Sequence, residues 1–130
     1  MAQLADIQGS VFQDGTVTTL ARIVDIDNDP VQIADVSSIT YTISLVNPDG
    51  SLTAVTGHTN VGLEVATVMF DTLQTGVAWT VDTYGYNFLH VVDVSTNDAF
   101  SQAGRTYKIQ YTLQPTVGQK LIFRYQVSCI

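Results

Sequence analysis

Little in this sequence can titrate. Only 13% of its 130 residues are charged. The single cysteine, Cys129, excludes a disulfide within the chain. It reads as a small buried apolar residue at a strand end, since a reactive thiol needs an electropositive setting and only Arg124 lies near it in sequence. Only one of the twelve acids, Glu64, is a glutamate. Asp favours turns where Glu favours helices, so the acids belong in loops. No stretch approaches the roughly 20 apolar residues of a membrane span, so no membrane partner is expected. The segment Met1–Gln8 lacks the basic region and apolar run of a secretory signal, and the chain is expected to be made in a cytosol-like compartment. No stretch of about ten residues has helical periodicity. Glycine-rich phosphate loops, paired cysteines, His-x-His, His-Glu-x-x-His and Gly-x-Ser-x-Gly are all missing. The expectation is therefore not an enzyme, and no cofactor.

What is present is apolar and strand-forming. Apolar residues make up 45% of the chain, which excludes disorder and suits one domain over residues 1–130, with residues 1–10 as an arm. The polar surface falls to Thr, Ser, Gln and Asn. The net charge of -7 is uneven. Residues 1–65 hold one base, Arg22, and eight acids (1 - 8 = -7), whereas residues 66–130 hold four of each (4 - 4 = 0). Such a balance argues against direct contact with a nucleic-acid backbone.

The clearest pattern lies in Thr106–Cys129. Tyr107, Ile109, Tyr111 and Leu113 alternate with polar residues, and so do Phe123, Tyr125, Val127 and Cys129 after the break Gln114–Gly118. Period-two alternation around a Pro- and Gly-containing loop predicts a long C-terminal hairpin with one oily face. Other strands must cover that face. Ser38–Asn47 alternates as cleanly and ends in the turn Asn47-Pro48-Asp49-Gly50. Thr16–Ile26, Ser51–Thr56, Gly62–Phe70 and Tyr84–Val92 read as further strands, Asp71–Gly76 as a turn, and Ile7, Val11 and Phe12 as anchors of a short edge strand. The whole predicts an all-β fold: an Ig-like antiparallel β-sandwich of seven to nine strands, with a closed barrel as the alternative. Tyr107, just after Ala103-Gly104, is placed like a tyrosine corner.

Several residues invite a chemical reading. Asp25, Asp27 and Asp29 have the spacing that opens a calcium loop, but Pro30 and Val36 stand where an EF-hand needs Gly and Glu. An acidic turn is the plain reading, and a calcium site of another kind on these three aspartates is the alternative. Arg22, among apolar neighbours, reads as snorkelling or paired. His58 reads as a solvated loop residue, and His90 as a hydrogen-bonded histidine in or beside the core. Trp79, Tyr84 and Tyr86 read as core aromatics; exposed together with His90, they would instead form a platform for sugars. Asp71 and Asp82 would make a carboxylate pair only if the fold joined them, and nothing in the sequence does.

The order of strand Val17–Val24, turn Asp25-Ile-Asp27-Asn-Asp29-Pro30-Val31, strand Ile39–Leu45 and turn Asn47-Pro48-Asp49-Gly50 resembles small β-domains of tailed-bacteriophage particles. Trp79–Phe88 followed by Ala103-Gly104-Arg105-Thr106-Tyr107 is similar to pieces of phage-like proteins. The resemblance spans about half the chain and implies a virion structural subunit: a capsid decoration, head–tail or tail component, made in the host cytoplasm. Its partners would be further copies of itself and other virion proteins. If the final hairpin turns about Thr116, Lys108 falls opposite Arg124 on the outer face. A basic patch on an acidic protein predicts an acidic partner surface, such as the Asp25/Asp27/Asp29 turn of a neighbouring subunit. The alternative function is an Ig-like adhesion or carbohydrate-binding module.

Overall fold

The computed structural model describes residues 7–25, 27–76 and 79–130, with the backbone alone for residues 7 and 8. Expectations that fall on residues 1–6, on Ile26 and on Val77 and Ala78 lie outside the described residues. The protein is all-β, with two sheets packed together. The larger holds β1 (Ile7–Val11), β3 (Val36–Val46), β4 (Leu52–Ala54), β5 (Val61–Leu63), β8 (Thr106–Pro115) and β9 (Leu121–Cys129). Its order is β1-β9-β8-β3-β4, with β5 also paired to β3. The smaller is β2 (Thr18–Ala21), β7 (Tyr86–Val91) and β6 (Met69–Gln74), in the order β2-β7-β6.

The three longest strands form because their side chains alternate, from Ser38 onward in β3, throughout β8 and from Phe123 onward in β9. Ile39, Tyr41, Ile43 and Leu45 of β3 are buried, as are Tyr107, Ile109, Tyr111 and Leu113 of β8 and Tyr125, Val127 and Cys129 of β9. Each large apolar side chain taken from water contributes about 1.5–3 kcal/mol before entropy is counted. Slipping the register by one residue would turn the whole set to solvent, which is why the pairing is so well specified. Tyr111 is the centre of the layer. Its ring stacks on Phe123 at 5.1 Å and meets Phe88 of the smaller sheet edge-on at 5.0 Å. The turn after β3 closes as its residues demand. Gly50 takes a φ of +88° and donates its N–H to the Asn47 carbonyl, while the Asp49 carboxylate accepts from the Ser51 N–H.

The Tyr107 hydroxyl accepts from the backbone N–H of Gln102, five residues upstream, at 3.0 Å. Phe100 is fully buried and packs edge-on against the same ring at 5.3 Å. The strand start after Gly104 is thereby pinned to the loop before it.

Local structure departs from these expectations at several places. Gly62–Phe70 is not one strand: β5 is followed by the helical turn α1 (Val65–Val68), and β6 begins at Met69. The chain passes here from the larger sheet to the smaller, and the helical turn makes the corner. Asp71–Gly76 is largely strand, because β6 gains its ladder from β7 through a bulged register and not from side-chain alternation. Residues Ile33–Asp35 form a single 3-10 turn, whose first N–H is held by the Asp71 carboxylate at 2.8 Å. Val11 is buried as an anchor of β1, but Phe12 is 74% exposed, just beyond the end of the strand. The edge strand β1 is parallel to β9, so antiparallel pairing does not hold throughout.

Candidate interaction surface

The central strands of the larger sheet leave one face to solvent. Residues directly opposite each other share a face, so the pairings place Thr42, Gln110 and Arg124 in one row and Ser44, Lys108 and Gln126 in the next. Thr40, Thr112 and Ile122 form the row nearest the hairpin tip. Strands β3, β8 and β9 contain no acid at all. The twelve acids of a chain with net charge -7 therefore lie elsewhere, and this face carries Lys108 and Arg124 among hydroxyls and amides.

Lys108 and Arg124 share that face, but they are not opposed. Lys108 lies opposite Gln126, and Arg124 opposite Gln110. The hairpin turns about Val117, since Leu113 pairs with Leu121. Pro115 stays in β8, paired to Val36 of β3, which lengthens the strand beyond the expected break. The reversal comes later, where Gly118 adopts a φ of +107°. A shift of two residues preserves parity, so both bases keep their face as diagonal neighbours. At a diagonal spacing of roughly 7–8 Å their repulsion is small.

The acidic turn lies at the hairpin end of the molecule. Val24 and Pro30 form a β-bridge at its base. Asp25 accepts through Oδ1 from the N–H groups of Asp27 (2.9 Å) and Asp29 (3.0 Å), and Asn28 sits at φ +65°. The Asp25 carboxylate thus folds its own turn. Asp27 and Asp29 are exposed. Among the described residues no group of three or more His, Cys, Asp or Glu is arranged to hold a metal ion. A cavity of about 590 Å³ opens between this turn and the hairpin tip, walled largely by apolar side chains such as Val24, Val31, Leu113 and Leu121.

A second exposed feature is the loop before β7. Asp82 is its hub. Its carboxylate accepts from Trp79 Nε1 at 2.9 Å, from the N–H groups of Tyr84 and Gly85, and from Arg22. The Trp79 hydrogen bond above all, with Arg22 and the backbone donors, holds this carboxyl well below the usual carboxylate range. Arg22 also donates to the Gly85 carbonyl and lies 5.6 Å from the centre of the Tyr84 ring. Trp79 and Tyr86 are half-buried against each other at 5.7 Å, and only Tyr84, at 71% exposure, stands clear. His90 is no part of this platform: it points into the core. Asp71 and Asp82 are held by different partners and form no pair.

Both histidines are buried between the sheets. His58 is not solvated, because its loop folds back onto β3. Its Nδ1 meets the Tyr41 hydroxyl at 2.8 Å and its Nε2 the Asn97 carbonyl at 2.8 Å. His90 Nδ1 meets the Tyr111 hydroxyl at 2.7 Å, and that hydroxyl also bonds Thr19 Oγ1 at 2.8 Å. Burial, aided by the nearby His58, pushes the pKa of His90 down to about 4. Among the described residues no buried side-chain polar atom lacks a partner. The polar groups of this network are therefore all paired within the fold.

No known family, curated protein or solved structure matches the chain. Among the described residues no helix is long and apolar enough to cross a membrane.

Proposed function

We propose that this chain is a non-enzymatic structural subunit of a tailed-phage particle, acting through protein–protein contacts made by the outer face of its larger sheet. One observation carries the reading: the longest strands present an acid-free face of hydroxyls, amides and two bases on a chain of net charge -7. A face with few charges loses little solvation on being covered, and its sign complements the acidic remainder of another copy. The resemblance of the opening strands and turns to small phage β-domains supports the place in a capsid, head–tail or tail assembly, and so in the virion. The Tyr107–Gln102 hydrogen bond supports the finer assignment of the two-sheet fold to the Ig-like class.

Mass spectrometry and electron microscopy of particles purified from the source cells test this directly. The expected result is the chain in a fixed copy number within symmetric density. Its absence from every particle fraction overturns the proposal. Adhesion or carbohydrate binding is the second reading, favoured by the exposed Tyr84, whose N–H shares the Asp82 carboxylate with the half-buried Trp79. A glycan that shifts Trp79 emission would favour that reading.

A further inference from the structure

The hollow at the hairpin end is largely apolar and rimmed by acid. Its walls include Val31, Leu113 and Leu121, and Val117 stands at its lip with 88% of its surface exposed. Asp25 and Asp35 belong to the lining, and the exposed Asp27 and Asp29 extend from the same turn. Lys120, on the hairpin tip, is the base nearest in sequence to this lining. A suitable occupant must therefore bring an apolar group with a cation close beside it.

The chain carries that combination on its own surface. Ile122, 41% exposed, and Arg124, also exposed, lie two residues apart on the outer face, with Lys108 diagonal to Arg124. The other arginines are engaged: Arg22 with Asp82, and Arg105 with Gln102 and Asn47. The Arg124 guanidinium makes no hydrogen bond or ion pair among the described residues. We infer that a second copy of this chain seats Ile122 in the hollow and sets Arg124 against the Asp25–Asp29 turn. This inference rests on the assembly reading and names its contact. Donor and acceptor are different patches, so the contact is heterologous and repeats from copy to copy, as a ring where the rotation closes and as a filament where it does not.

Sedimentation velocity on the full chain tests the contact, over a concentration series at about 50 and about 300 mM salt. The variants are Arg124→Glu, Asp29→Arg, the two combined, and Val117→Asp. All three positions are exposed, and Asp29 serves its turn through its backbone. Circular dichroism checks that each variant folds. The wild type is expected to associate, more weakly at the higher salt. Each single reversal should weaken association about tenfold or more, and the double swap should restore it. Val117→Asp should weaken it at both salt concentrations. A wild type that associates with no response to these variants, or a double swap that fails to rescue, overturns this contact and leaves the assembly reading standing. A wild type that stays monomeric throughout also overturns it, while the particle fractionation judges the assembly reading separately.

Discussion

Acid should loosen this protein through His90, and the size of the effect follows from its surroundings. The ring lies on the inner face of β7, 6% exposed, with the Tyr41 ring 4.9 Å away. Its pKa is depressed to about 4, from an ordinary 6.5. As the pH falls below 6.5 the unfolded chain takes up the proton first. The stability supplied by the neutral ring is therefore complete above 6.5 and is lost as the pH falls from 6.5 towards 4. At about 1.4 kcal/mol per pH unit the full loss is at most about 3.4 kcal/mol. Between pH 7.5 and 5 the share is about 2 kcal/mol, and solvent at the ring's rim reduces it to about 1–2 kcal/mol. Carboxylates stay largely ionised over that range, so it isolates the histidines. Urea unfolding followed by the emission of Trp79 measures the change. His90→Gln keeps a polar partner for Tyr111 and should flatten the profile. That substitution also separates His90 from His58 in the same layer. A wild type equally stable at pH 7.5 and 5, or a His90→Gln variant with an unchanged slope, would refute the reasoning.

Asn87 and Gly85 give two further tests by the same unfolding assay. The fully buried Asn87 accepts from the Ile23 N–H and donates to the carbonyls of Ile23 and Val31, so Asn87→Ala removes three hydrogen bonds and strands the Ile23 N–H and the Val31 carbonyl, while the Ile23 carbonyl keeps the Val31 N–H. It should cost about 3–5 kcal/mol, and a loss under 1 kcal/mol would show that water or relaxation replaces those bonds. Gly85 holds φ at +110°, and an added Cβ would lie 2.3 Å from the Gln74 carbonyl oxygen. Gly85→Ala should therefore cost about 2–4 kcal/mol, and unchanged stability would mean that β6 can move aside.

The sequence displays the fold wherever a side-chain pattern decides it. Burial in β3, β8 and β9 follows parity, and the Asn47–Gly50 turn follows from residues that take turn geometry readily. It hides what depends on distant partners. Asn87 sits in an aromatic run, and nothing local shows that it ties two loop legs to the smaller sheet. His58 carries no parity, because its position is set by a loop folding back on Tyr41. The β6 strand, with an exposed Asp71 and Thr72, exists through pairing with β7. The outer face was legible as a face, since parity alone places Lys108 and Arg124 there. Their true register was not, because the residue at which a hairpin turns depends on Pro115 remaining paired to β3.

The central claim is that the outer face of the larger sheet is covered when the protein works. Lys108 reports on it, being one of only two lysines and the one on that face. Amine acetylation of particles from the native source, compared with the dissociated subunit and read by mass spectrometry, measures its cover. The prediction is protection of Lys108 by about tenfold or more in the assembled state. Equal reactivity in the two states would contradict the account.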